Sequence, residues 1–254
     1  MTSKEAYELF MTPPPQSPRA RREQELLARG EPLGLVVQGH RLQGRAWGSG
    51  RNVLVQHGWG SRGTAMWAFV KALEPHFRVI ALDAPGHGDS EGTRSNMFLF
   101  AHTIHQVSEH FGPLHAIVAH SIAAAATPKA TSLGANADRF VLISARNELV
   151  DFLTRFFELS EIDSGLSPEV HQHWKDEFGW DSVVAATPSL IAPSIRKPAL
   201  IIHDEEDEDI NVSEAHTLHA AWPGSELVIT QGLGHVRITR SAEVAERVRE
   251  FLLA

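Results

Sequence analysis

Three observations predict an α/β fold with a mostly parallel, eight-stranded sheet and helices on both faces. Short β-branched apolar runs alternate with longer segments of helical spacing; most of those runs are apolar throughout rather than at every second residue; and loops bearing glycine, acid, base or hydroxyl follow them. Parallel strands need crossover helices, and strands covered on both sides have no wet face for polar residues. The 254 residues are enough for one large domain carrying a modest insertion.

Residues 1–32 are a polar lead-in. It contains Pro13, Pro14 and Pro15, then a charged, helix-compatible stretch from Arg19 to Arg29, and it packs on the core or trails from it. Leu33 to Val37 and Arg41 to Trp47 are two β-like runs joined by Gln38-Gly39-His40, a turn-forming link, so the sheet should begin with an antiparallel hairpin. Further strands are expected at Val53 to Gln56, Arg78 to Leu82, Leu114 to Ala119, Phe140 to Ser144, Ala199 to His203 and Glu226 to Thr230. Helices fit about Thr64 to Pro75, Ser95 to Phe111, Ile122 to Leu133, Val212 to Trp222 and Ser241 to Leu253. The sheet core is thus expected from 33–144 and 199–254. Between them, residues 145–198 show only helical pattern, rich in Phe152, Phe156, Phe157, Trp174, Phe178 and Trp180, and read as a helical cap.

Composition narrows the chemistry. Cysteine is absent, which removes disulfides, cysteine–metal sites and thiol nucleophiles, and leaves oxygen, nitrogen or water to attack. A net charge of −8 disfavours a nucleic-acid partner. No apolar run approaches the roughly 20 residues of a membrane span, and the N-terminus lacks a signal-peptide core; a cytoplasmic protein is expected. Fifteen histidines invite a metal or acid–base role. The pairs His102/His105, His171/His173 and His216/His219 lack a third ligand on the same element and are expected at the surface. The acidic run Asp204 to Asp209 lacks the glycine and alternating spacing of a calcium loop and reads as a solvated edge. No metal or cofactor is implied.

In an open α/β sheet, functional residues gather where strands end. Those positions hold His57-Gly58-Trp59-Gly60, Asp83 through Ser90, His120-Ser121-Ile122, Asp204 to Asp209, and Gly232-Leu233-Gly234-His235. Ser121 lies between a strand and an alanine-rich helix. A serine on so sharp a turn holds its hydroxyl above the sheet at a helix N-terminus, ready for developing negative charge. Arg62 and Arg146, just past strand ends, read either as contacts for an anionic substrate or as ordinary surface arginines.

Together, His57-Gly58-Trp59, Asp83 through Ser90 and the Ser121 turn resemble the α/β-hydrolase superfamily, over nearly the whole chain from Leu33 onward. Three positions depart from the family pattern. Ala119 and Ala123 replace the glycines of the G-x-S-x-G elbow, and Asp204 falls where a glycine is common. The resemblance implies a catalytic triad in the order Ser121, acid, His235, with Asp207 matching the acid position and Asp204 and Glu206 as alternatives. It also implies an oxyanion hole from the backbone amides of Trp59 and Ile122. Trp59, His120, Phe152 and Phe156 are candidates for the substrate pocket. Pro85, Gly86 and Gly88 shape a tight loop that His87 and Asp89 hold, and His57 braces the oxyanion loop.

The expected activity is hydrolysis of an ester or related acyl bond in a small, largely apolar molecule, through an acyl-enzyme on Ser121. The same triad could instead serve carbon–carbon bond hydrolysis, acyl transfer or perhydrolysis. From another class, a slow or non-catalytic ligand receptor would keep the fold and the triad; Ala119, Ala123 and Asp204 are its support.

Overall fold

The computed structural model describes residues 1–254. In chain order its elements are α1 (Ser3–Met11), α2 (Arg21–Arg29), β1 (Glu31–Val37), β2 (His40–Trp47), β3 (Asn52–Gln56), α3 (Trp67–Leu73), β4 (Arg78–Leu82), α4 (Met97–Phe111), β5 (Leu114–His120), α5 (Ile122–Ser132) and β6 (Ala137–Ile143). Four helices follow, α6 (Asp151–Leu159), α7 (Ser167–Phe178), α8 (Trp180–Val184) and α9 (Pro188–Ile191), and then β7 (Ala199–Asp204), α10 (Ser213–Ala221), β8 (Ser225–Thr230), α11 (Gly234–Arg237) and α12 (Ala242–Leu253).

One eight-stranded sheet runs β1-β2-β4-β3-β5-β6-β7-β8. β1, β2 and β4 pair antiparallel, and every later pairing is parallel. The hairpin and all six later strands fall where the apolar runs predict them. β6 starts earlier than expected because Asp138 and Arg139, at its exposed start, hide the strand from a reading based on apolar runs. The expected helix from Thr64 is split: Gly63–Met66 is a 3-10 turn and α3 begins at Trp67.

Strand geometry sends successive side chains to opposite faces. Val53, Val55, Ala116, Val118, Val141, Ile143, Leu200 and Ile202 therefore enter one core with α3 and α12, where Phe69, Leu73, Val248 and Phe251 meet them. Leu54, Ile117, Ala119, Phe140, Leu142 and Ile201 enter the other, against Phe100 and Ile104 of α4, Ala123 to Ala126 of α5 and Leu218 of α10. Full burial of each such aliphatic side chain stabilises the fold by about 2 kcal/mol. Truncating fully buried Phe100 to alanine is worth about 3–5 kcal/mol of stability.

The segment between β6 and β7 is helical, as expected. Leu149, Leu153, Phe157, Val170 and Trp174 are buried in the same core as Ile122 and Ala123, so part of its apolar content is spent on packing inward.

The N-terminal lead-in does not trail. Ala6, Tyr7 and Met11 of α1 are buried, Phe10 packs edge-on against Phe156 of α6, and the Tyr7 hydroxyl donates to Glu177 of α7. The chain then crosses the loops at the strand ends. Gln16 donates to the Ser61 carbonyl at 2.7 Å, Arg19 pairs with Asp89 at 2.7 Å, and Glu23 of α2 pairs with Arg62 at 2.7 Å. The polar residues that give this segment its surface-like composition are the ones holding it down.

Candidate active site

β5 runs directly into α5 through Ser121, whose backbone angles are φ 57° and ψ −123°. A non-glycine residue held there costs about 1–3 kcal/mol, and surrounding contacts must fix it. They do: the Ser121 amide donates to the Ile143 carbonyl at 2.9 Å, and its carbonyl accepts from the Ala125 amide at 3.0 Å. Ala119 and Ala123 are fully buried where strand and helix meet. Their methyl groups fit that contact, so the elbow forms without glycine at either position.

Above this turn, Ser121 Oγ lies 3.0 Å from His235 Nε2, and His235 Nδ1 lies 2.8 Å from Asp207 Oδ2. A carboxylate only accepts, so Nδ1 carries the imidazole proton and Nε2 is left to receive the hydroxyl proton. Asp207 Oδ1 also accepts from the amides of Asp209 and Ile210, at 3.0 and 2.8 Å. Burial alone would raise the Asp207 pKa, but the His235 hydrogen bond and charge, with the Ile210 amide, outweigh it and lower it to about 2. Asp207 is thus an anion at neutral pH. Among the three carboxylates left open by sequence, only Asp207 meets His235; Glu206 is exposed and Asp204 is turned toward backbone amides.

The loop after β3 brings Gly58 against the serine. A Cβ on Gly58 would stand 2.9 Å from both Ser121 Cβ and His120 Nδ1, so only glycine allows this approach. Trp59 follows, and Ile122 opens α5, where first-turn amides have no intrahelical acceptor. Trp59 and Ile122 are thus the chain neighbours of Gly58 and Ser121, the two residues that meet here. In the loop beneath, His57 Nε2 accepts from the Ala84 amide at 2.9 Å, and the Asp83 carboxylate, rather than the Asp89 side chain, holds the turn by accepting from the Gly63 and Asp89 amides at 2.7 and 2.9 Å. Burial lowers the His57 pKa to about 4 and the His87 pKa to about 3, so both rings are neutral struts at pH 7.

The pocket candidates divide. The Trp59 ring meets His87 edge-on. Phe152 lies under the Arg146 guanidinium and Phe156 between Phe10 and Phe157. His120 is turned away from any open space: it is buried, and its Nε2 donates to the backbone carbonyl of His235 at 3.0 Å. Burial, then the His235 charge, lowers its pKa to about 3.

Neither arginine is an open anion contact. Arg62 is engaged by Glu23, while Arg146 is buried, donates to the Asp209 carbonyl at 2.6 Å and faces Glu214 at 3.5 Å. Glu214 also accepts from the Asn147 and Glu148 amides, at 2.5 and 2.9 Å. Sequence reasoning passed over Glu214 and His203, whose Nε2 donates to the Ile210 carbonyl at 2.9 Å. Both bond to backbone groups, Glu214 across 66 and 67 residues and His203 across 7, and leave no periodic pattern. A separate cavity of about 380 Å³ opens between the β1–β2 turn, the start of α4 and the end of α7, lined by Gln38, Arg94, Phe98, His102 and Glu177.

The chain's likeness to known proteins is consistent in fold. Among solved structures, an esterase of Pyrococcus furiosus superposes with a TM-score of 0.70 at 20% identity, covering 96% of this chain and 97% of that one. A thermophilic esterase from Thermogutta terrifontis gives 0.66 at 16%, covering 87% and 98%. A curated pimeloyl-[acyl-carrier protein] methyl ester esterase of Vibrio vulnificus is 41% identical over 49 residues, 19% of each chain. The chain thus aligns with only about a fifth of the length of that relative. The model of the Alpha/beta hydrolase family matches residues 53–247, a span that begins in β3, holds the Ser121 turn and ends in α12. With the sheet order and elbow described above, that match assigns the chain: it belongs to the alpha/beta hydrolase family.

Proposed function

We propose that this protein is a serine hydrolase that cleaves an ester or related acyl bond of a small, largely apolar substrate, with Ser121, His235 and Asp207 as its catalytic triad. The observation that carries this reading is the continuous relay from Ser121 Oγ through His235 to Asp207, at 3.0 and 2.8 Å.

In the proposed cycle His235 Nε2 takes the Ser121 proton as Oγ attacks the acyl carbon. The amides of Ile122 and Trp59 receive the oxyanion, aided by the α5 N-terminus. The anionic Asp207 stabilises the imidazolium, which then protonates the departing alcohol. Water, deprotonated by the same nitrogen, attacks the acyl-serine and releases the acid and the free hydroxyl. The cycle consumes substrate and one water and needs no cofactor.

Residues 145–198 act as the cap, and Trp59, Phe152 and Phe156 remain the candidate apolar contacts for the acyl group. Carboxylates outnumber basic side chains in this segment, and Arg62 and Arg146 are both paired, which favours a neutral acyl group over an anionic one. The substitutions that could support a receptor reading, Ala119, Ala123 and Asp204, leave the relay distances within ordinary hydrogen bonding. Steady-state turnover of short aryl esters tests the proposal. Wild-type protein should hydrolyse them and Ser121→Ala should lose about a thousandfold or more in kcat; equal rates for the two would refute it.

A further inference from the structure

Asp204, at the end of β7, is buried, and its carboxylate accepts four hydrogen bonds. Oδ2 takes the Thr230 hydroxyl at 2.7 Å and the Leu233 amide at 3.1 Å; Oδ1 takes the Gly234 amide at 2.9 Å and the Glu206 amide at 3.0 Å. Two of these donors are the residues immediately before His235, and a third lies in the loop that carries Asp207. From the opposite side, His120 Nε2 donates to the His235 carbonyl at 3.0 Å. Three successive residues of the histidine loop are therefore held through their backbone by two buried side chains, one from β7 and one from β5.

We propose that Asp204, together with His120, is a positioning residue that clamps the His235 loop so that the imidazole stays aligned between Asp207 and Ser121. The inference rests on the hydrolase reading of that relay but assigns a role that the relay itself does not require. Asp204 takes no part in the proton path: its oxygens accept from backbone and hydroxyl donors, and neither is bonded to the His235 ring. What it supplies is rigidity. The loop bearing His235 contains Gly232 and Gly234, both at positive φ (77° and 59°), and would otherwise be free to wander. A displacement of about 1 Å in a catalytic group can cost about a hundredfold in rate.

The test compares wild type with Asp204→Ala, Asp204→Asn and Thr230→Val, the last two serving if the first does not fold. Proton NMR follows the low-field resonance of the His235 Nδ1–H, assigned by its loss in His235→Gln, and kcat and KM are measured on an aryl acetate. The clamp predicts a resonance that broadens or vanishes in the folded variants. It also predicts a fall in kcat of about a hundredfold for Asp204→Ala, less for the other two, and a KM within about twofold of wild type. A resonance and kcat per folded molecule equal to wild type in every folded variant would overturn it. Failure of wild type to turn over any ester would strike the hydrolase reading instead, and the resonance would still decide the clamp.

Discussion

His235 Nδ1 donates to Asp207 Oδ2 over 2.8 Å, while the other oxygen of Asp207 is held by the Asp209 and Ile210 amides. The anion thereby selects the imidazole tautomer that leaves Nε2 open to Ser121. Asp207→Asn preserves volume but can present an NH2 group to Nδ1, which favours the opposite tautomer. The expected result is a folded protein whose kcat on an aryl ester falls by about four orders of magnitude. A variant within about tenfold of wild type would count against this role.

The site's buried groups also make the fold acid-sensitive. His57, His87 and His120 have pKa values lowered to about 4, 3 and 3 by burial, so the unfolded chain binds protons that the folded chain refuses as pH falls below about 6.5. Asp207, lowered to about 2, and Asp204, lowered by its four donors against burial, act in the same direction below about pH 4. Each depressed pKa contributes stability that is complete above the unfolded value and lost as pH drops through the folded one. The unfolding free energy from urea titration should be flat above pH 7 and fall between pH 6.5 and 5, by about 2 kcal/mol for each histidine at the lower end, with the midpoint falling in step. An unchanged midpoint at pH 5 would show that these rings are not buried as neutral bases.

Glu214 is the single partner of the buried Arg146 guanidinium among acidic side chains, and it also fixes the amides that open the helical insertion. Glu214→Ala should destabilise the protein by about 3 kcal/mol or more, because it strands both a buried charge and two backbone donors. Chemical denaturation checks this, and a loss below about 1 kcal/mol would mean the pair is solvated.

Gly60 has φ 63°, and a Cβ there would meet Pro14 Cγ at 2.9 Å. The N-terminal segment thus presses on the loop that holds the Trp59 amide. Gly60→Ala should cost about 1–3 kcal/mol in stability and, with the Trp59 amide in its proposed oxyanion role, lower kcat more than it raises KM. Denaturation and steady-state kinetics on the same preparation separate the two effects, and kcat equal to wild type per folded molecule would remove Trp59 from the oxyanion role.

The parallel sheet was legible because its strands are buried on both faces and their apolar runs are interrupted by chemistry-bearing loops. Ser121 directly follows β5 and opens onto α5, and His235 lies in α11 beyond the short loop after β8, so both stand where an α/β sheet gathers its chemistry. The choice of Asp207 over Asp204 and Glu206 needed the register of one loop, which residue type alone does not supply. Harder still was the N-terminal segment. Its partners on α6, α7 and the strand-end loops lie up to 170 residues away in sequence, so no local period announces that Tyr7 and Met11 are buried. In the sequence Asp204 is a departure from glycine and an alternative acid; its four bonds run to three backbone amides and the Thr230 hydroxyl and carry no spacing signal. Adjacency to Ser121 makes His120 a pocket candidate in the sequence, but its ring turns inward to the His235 carbonyl, a partner 115 residues away that leaves no local pattern.

Whether Ser121 is the nucleophile is tested most directly by intact-mass spectrometry with peptide mapping after exposure to a fluorophosphonate probe. A single phosphonate adduct is expected on Ser121 in the folded protein, lost in Ser121→Ala and strongly slowed in His235→Ala. An unmodified wild-type protein, or an adduct mapped to any other residue, would contradict it.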